Sequence, residues 1–241
     1  TMMLHNHISI FISAITINLL LFCSCPLNAQ RKTQEPKKQT TSRTPAGLKN
    51  DTTATFRSFE VTVDLLGAAQ MWLSDYGQYE AAVRVDLKDK YFPIIEVGYG
   101  KADAKDVSTN LHYKTGAPYV RIGLDFNMLK NKHDIYRLYG GFRYGMTSYK
   151  FDVTSTGVTD PVWGNVVPYE AKDVKANYQW LEAVAGVDVK ISGPIHLGWS
   201  IRCRRRLTHN DGDIGNTWYV PGYGRQGGSR LGGTFNLIFQ F

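Results

Sequence analysis

The sequence predicts an all-β fold: a closed eight-stranded antiparallel up-and-down transmembrane β-barrel. Three observations predict it. Large apolar residues alternate with polar or charged ones, segment after segment, from Ser58 to the last residue. After the first hairpin the connections between segments run short, long, short, long, as in a barrel with tight turns on one rim and loops on the other. The polar parity carries charges of both signs in nearly equal number, as a packed interior requires.

The final segment shows the pattern most clearly. Leu231, Phe235, Leu237, Phe239 and Phe241 share one parity, and Arg230, Thr234, Asn236 and Gln240 share the other, with Ile238 the one large apolar exception. A strand ending on an aromatic residue resembles the last strand of bacterial outer-membrane barrels. The 241 residues suffice for one moderate barrel. The chain carries a net charge of +7 with 20% charged residues, and its 23 Gly and 14 Tyr suit strands that bend and rest at a membrane interface. The positive charge is not gathered on a helix and follows an export signal, so no nucleic-acid partner is expected.

Residues 1–29 read as a signal peptide. Residues 8–22 are apolar over the length of a signal core but include Asn18 and several Ser and Thr, too polar for a membrane-spanning helix. Leu27-Asn28-Ala29 precedes Gln30 as a cleavage site would, and a Gln following Ala resembles the mature start of exported Bacteroidota proteins. Residues 1–7 depart from the usual pattern, with His5 and His7 but no Lys or Arg. Cys25 is a weak alternative lipidation site, because Phe22 stands where a lipobox wants a smaller aliphatic. Cleavage after Ala29 removes Cys23 and Cys25, leaves Cys203 alone and permits no internal disulfide. Residues 30–57 read as a disordered basic periplasmic leader, with six Lys or Arg against Glu35 and Asp51 across residues 30–55. It is either a solvated spacer or a basic tether.

Residues 58–241 are the expected barrel. Its strands are placed at 58–72, 78–88, 91–101, 117–129, 135–152, 172–191, 195–207 and from about 229 to the last residue. Connections at 102–116, 153–171 and 208–228 are the expected outer loops. An even count puts both ends of the barrel on the short-turn side. A soluble lipocalin-like barrel shares the alternation, since parity does not say which face is inside; the paired-sign charges and the export signal favour the membrane. The whole of 58–241 resembles the small eight-stranded outer-membrane barrels of the OmpX and OmpA transmembrane-domain type, and among them a Bacteroidota family of outer-membrane proteins. That resemblance implies the cell outer membrane, its lipid as a partner, and no catalytic motif.

The inward parity holds Glu60, Asp64, Glu80, Asp86, Glu96, Asp125, Glu182 and Asp188 against Arg84, Arg121, Arg137, Arg143, Arg202, Arg204 and Arg206. Arginine suits carboxylate partners through its forked guanidinium. A structural ion-pair core is the expectation, and a proton or ion path the alternative. His112 and His209 lie near Ser108 and Thr208, but neither begins a His-x-Ser pair, since His209 is followed by Asn210 and Asp211, so no enzyme is expected. Asp211-Gly212-Asp213 with Asn216 lacks the ligand spacing of a calcium loop. No metal and no cofactor are expected. Trp163, Tyr169, Trp218, Tyr219, Tyr223 and Arg225 are candidate binding residues in the outer loops, where aromatic and Arg side chains anchor interfaces. The expected function is a non-enzymatic membrane scaffold or accessory subunit with a possible envelope protein partner; a narrow channel or a lipid-modifying enzyme is the alternative.

Overall fold

The structure is a computed structural model that describes residues 55–107, 110–129, 136–159, 164, 166–210, 212, 215 and 217–241. The expected signal peptide and nearly all of the expected leader lie outside the described residues. In chain order the elements are β1 (Phe56–Asp64), α1 (Leu65–Leu73), β2 (Tyr76–Leu87), β3 (Tyr91–Lys105), β4 (Leu111–Asn127), β5 (Tyr136–Thr159), β6 (Val166–Ser192), β7 (Ile195–Asn210), β8 (Tyr219–Val220), β9 (Gly224–Arg225) and β10 (Ser229–Gln240). Strands β1 to β7 and β10 form one closed antiparallel ring, and β8 and β9 form a separate small hairpin.

Side-chain alternation decides the two faces. On β3, Ile95, Val97 and Tyr99 are exposed and Glu96 is buried; on β5, Phe142, Tyr144 and Met146 are exposed and Arg143 is buried. The outer wall is therefore an apolar belt and the interior is charged, the reverse of a soluble barrel. The ring closes where the last residue meets the first strand. Phe241 and Phe59 exchange backbone hydrogen bonds of 2.9 and 3.1 Å, and their rings stack at 5.2 Å.

The first strand is shorter than expected. It ends at Asp64, and the second half of the expected strand is α1. The Asp64 side chain accepts from the backbone N–H of Leu66 at 3.1 Å and of Gly67 at 3.2 Å, which supplies an N-cap. Beyond it, Leu-Leu-Gly-Ala-Ala-Gln-Met-Trp-Leu loses the two-residue period and is rich in good helix formers.

The outer connections also differ. Residues expected as loops continue the strands: β3 and β4 pair up to Lys105 opposite His112, and β5 and β6 up to Thr159 opposite Val166. At 24 and 27 residues, β5 and β6 are more than twice the roughly ten residues that cross a bilayer. On their outward face Lys150, Asp173 and Lys175 are exposed, so these outer parts lack the apolar outward parity that marks a crossing strand in the sequence.

On β7, Trp199, Ile201 and Cys203 share the exposed face while Ser200, Arg202 and Arg204 point inward. Cys203 on intact cells should therefore react slowly with a membrane-impermeant maleimide and readily with a lipid-soluble one. Fast impermeant labelling would place this strand in the wrong register.

Candidate functional site

The lumen is the most densely organised chemical feature of the molecule. Even-numbered positions on β1, β2, β3, β6 and β7 and odd-numbered ones on β4 and β5 aim inward, so each strand delivers charges at two-residue intervals to one shared space. Six arginines meet six carboxylates there: Arg84, Arg121, Arg137, Arg143, Arg202 and Arg204 with Glu60, Glu80, Glu96, Asp125, Glu182 and Asp188.

Towards the short-turn rim, Arg137 grips Glu60 with two bonds of 2.8 Å and also reaches Asp188 at 2.7 Å. Arg84 donates to the same Asp188 oxygen at 2.8 Å. Higher up, Arg143 holds Asp125 in a fork of 2.6 and 2.9 Å and touches Glu96 at 3.1 Å. Arg202 reaches Glu96 at 2.8 Å and Glu80 at 3.1 Å. Arg121 joins Glu80 at 2.7 Å, Glu96 at 2.8 Å and Glu182 at 3.0 Å.

The reach of these pairs closes the interior. In the ring order, β1 faces β5, β2 faces β6 and β3 faces β7. Glu60–Arg137, Arg84–Asp188 and Glu96–Arg202 each join one of those facing pairs. Three ion pairs thus cross the full diameter. The space left among Thr62, Arg84, Glu96, Tyr139, Arg143 and Arg202 is about 10 Å³, room for one water at most.

Three of the expected lumen charges lie outside this network. Asp64 is the helix cap and also accepts from Phe235 N–H at 3.2 Å. Asp86 accepts from Asp89 N–H at 2.8 Å in the β2–β3 turn, where Lys88 and Asp89 both have positive φ. Arg206 is half-buried beside the hydroxyls of Tyr178 and Tyr223. Aromatic partners that charge counting passes over complete the core. Tyr119 donates to Glu80 at 2.7 Å and Trp180 to Glu182 at 2.7 Å, while the guanidinium of Arg84 lies over Tyr139 and that of Arg137 over Phe92. They share the parity of the charges on their strands, and that parity is the signal available for finding them.

Above the charges sits an aromatic layer, and the segment from Thr217 to Gly228 folds down onto it. Tyr219 and Tyr223 are 2% and 0% exposed, packed with Tyr113, Tyr178 and Trp180. Tyr113 donates to Tyr219 O at 2.9 Å, and Tyr219 to Gly77 O at 3.2 Å. Arg121 donates to Gly222 O at 2.9 Å and Arg204 to Tyr223 O at 3.0 Å, so the plug is anchored to the ion pairs below. Gly222 has a φ of +80°, and a Cβ there would meet the Tyr119 ring at 2.5 Å, so the tip fits as glycine.

This corrects part of the expected loop surface. Tyr219 and Tyr223 are plug residues and present no anchor to a partner. Trp218 is half-buried, and Arg225 is exposed with its guanidinium over the Trp218 ring at 5.1 Å. Tyr169 is exposed, on β6 opposite Ser155 rather than in a loop. Trp163 lies outside the described residues.

His112 and His209 stand in separate surroundings. His112 Nε2 is 2.7 Å from Asp103 Oδ1 in the β3–β4 extension, and the ring of His209 lies against Tyr178. The hydrogen bond from His112 holds the Asp103 carboxyl below its usual value. That contact therefore contributes above the ordinary Asp range and fades as pH falls through the lowered value. Ser108, Asp211, Asp213 and Asn216 lie outside the described residues. Among the described residues no group of His, Cys, Asp and Glu could hold a metal ion.

A closed sheet with an apolar belt outside and a neutralised charged core inside is built to cross a bilayer with strands. Among the described residues no helix is long and apolar enough to do so. The protein is a transmembrane β-barrel. A family profile described as a domain of unknown function, DUF6048, matches residues 8–241. The chain belongs to the DUF6048 family. A comparison with curated proteins finds no match. Among solved structures, the DUF6048 barrel is similar to the N-terminal β-barrel domain of Pseudomonas aeruginosa OprF at 12% identity, over 76% of this chain and 97% of that one, with a TM-score of 0.36. It is also similar to a major outer membrane protein from Thermus thermophilus at 11% identity, over 76% and 98%, with a TM-score of 0.48. Neisserial surface protein A matches at 10% identity, over 76% and 95%, with a TM-score of 0.40. The closed strand pairing of the DUF6048 barrel itself defines its fold.

Removing one partner of a buried pair strands the other charge. Arg143→Ala removes the two-bond fork on Asp125, leaving it only the longer 3.6 Å contact to Arg84, takes one of two guanidinium donors from a Glu96 oxygen, and should cost about 3–5 kcal/mol. Arg225→Ala, at an exposed site without a carboxylate partner among the described residues, should change stability by less than about 0.5 kcal/mol. The temperature at which the folded barrel loses its fast gel mobility compares the two directly. Equal temperatures would show that the lumen pairs do not hold the barrel.

Proposed function

We propose that this DUF6048 barrel is a non-enzymatic, non-conducting scaffold or accessory subunit of the outer membrane, binding an envelope or extracellular partner through its outer hairpins. The observation that carries this reading is the filled lumen. Ion pairs cross the full diameter and an aromatic plug covers them, so neither a solute path nor an open catalytic cleft runs through the barrel. The chemistry that faces outward belongs to the extended β3–β4 and β5–β6 hairpins, with Tyr169 exposed among alternating charges such as Glu170, Lys172 and Asp173. Strands continued well past the membrane are stiffer than loops and hold such a surface at fixed geometry.

The leader and the export junction belong to the same proposal. Cleavage after Ala29 would leave a basic segment on the periplasmic side, able to serve as a tether, and the Ala29–Gln30 junction is the feature that points to Bacteroidota. A narrow channel would need a ring of one sign around water, and the six-against-six pairing supplies the opposite.

Two measurements test the reading. The purified barrel should give no steady single-channel current in a planar bilayer; sustained openings would overturn the non-conducting part. Photo-crosslinkers placed at Tyr169 and Lys172 in native membranes should capture a common protein, and the same probe at lipid-facing Ile201 should not. Identical capture profiles at all three positions would remove the hairpins as the binding surface.

A further inference from the structure

The barrel wall is incomplete in its outer half. Strand β1 stops pairing at Asp64 opposite Asn236, and β10 continues through residues 229–235 with β7 alone beside it. On the far side of the gap, β2 runs up to Tyr76 and pairs only with β3 above Ala81. Helix α1 occupies the space between and packs against both β2 and β10. Its seat on β2 is tight: a Cβ on Gly77 would stand 2.5 Å from Met71 N and 2.6 Å from Met71 Cα. On the β10 side it leaves a cavity of about 560 Å³ that reaches from the wall to the plug. Residues 229–235 lie five to eleven positions above Gln240, which at ~3.3 Å per residue and ~45° tilt is roughly 12–26 Å up from the periplasmic rim. The opening therefore faces the outer leaflet.

An unpaired strand edge at that depth needs a polar partner, because hydrocarbon offers its backbone N–H and C=O groups none. The rim is also chemically two-faced. Leu73 and Leu231 border it, 87% and 74% exposed. Arg225 and Arg230 line the same cavity, and neither pairs with a carboxylate among the described residues. The Arg230 guanidinium is held in place by the carbonyl of Arg225 at 2.8 Å and that of Gln226. Arg204 reaches the cavity from the lumen but is committed to Glu182, and Asp64, an acidic residue of the same lining, is committed to three backbone N–H groups. The window thus carries two guanidinium charges with no carboxylate partner among the described residues, and its border is apolar.

We propose that this window holds one phosphate-bearing lipid of the outer leaflet. Its phosphate lies between Arg225 and Arg230, its polar linkage faces the open β10 edge, and its acyl chains leave past Leu73 and Leu231 into the bilayer. Guanidinium forks match phosphate oxygens, and an amphiphile satisfies both the bare edge and the apolar border, which water or a free anion does not. The inference rests on the membrane setting of the barrel but not on any partner at the hairpins, so failure to capture a protein there leaves this test unaffected.

The test is native mass spectrometry of the full barrel in detergent, titrated with dioleoyl phosphatidic acid, dioleoyl phosphatidylcholine or inorganic phosphate. Wild type should retain a single phosphatidic acid at about tenfold lower concentration than phosphatidylcholine, a difference that Arg225→Gln with Arg230→Gln should largely abolish. Unchanged gel mobility of that double variant will show that it still folds. A phosphatidic acid carrying an acyl-chain diazirine should label peptides containing α1 and residues 229–235. An unaltered preference in the folded variant, label spread evenly around the belt, or full displacement of the lipid by equimolar inorganic phosphate would each overturn the proposal.

Discussion

The barrel depends on charge balance in a space with room for one water at most. Eight strands enclose an interior that side chains can just fill, and this chain fills it with arginines and carboxylates rather than with leucine. A buried guanidinium without a partner costs several kcal/mol, so each one commits the positions of the acids around it. Glu60 on the first strand is useful only if β5 delivers Arg137 to the opposite wall, and Asp188 only if both Arg84 and Arg137 arrive. The pairs across the diameter therefore tie together strands that are far apart in sequence. A slip of one residue in any strand would turn its charges out into lipid and its apolar side chains inward.

The same network organises the outer end. Arg121 and Arg204 each spend one donor on the backbone of the 217–228 segment, which converts a long connection into a plug with its own aromatic packing. The plug leaves the outer hairpins as the part of the molecule that meets the outside. At the wall, Asp64 performs a related service. Its carboxylate ends β1, starts α1 and bonds the β10 edge at Phe235, so one side chain sets where the ring is closed by strands and where it is closed by a helix.

Much of this is legible in the sequence, for a physical reason. A period of two is the one pattern that sorts residues by face, and every crossing strand has to obey it. Residues such as Arg143 and Phe142 can therefore be assigned to opposite faces without coordinates. The helix escapes such a reading because Leu65, Gly67 and Ala69 fit either period over so short a stretch, and the decisive feature is a capping bond from a residue that also lies on the inward parity. The extension of β5 and β6 is hidden because no membrane imposes alternation above the bilayer. The fate of Tyr219 and Tyr223 turns on tertiary contacts with Tyr113, Trp180 and Gly77, distant in sequence and invisible to any local pattern. Which six carboxylates pair with which arginines likewise depends on ring order, not on spacing along the chain.

The central claim is that the lumen charges act on stability as pairs rather than as separate polar groups. The most direct measurement is a double-mutant cycle at Arg143 and Asp125, joined by a two-bond fork, with unfolding followed in urea for Arg143→Met, Asp125→Leu and the two together. Coupled burial predicts that the double variant is more stable than the sum of the single losses allows, by about 1–3 kcal/mol. Strictly additive losses would contradict it, and would mean that the barrel is held by its sheet and its apolar belt alone.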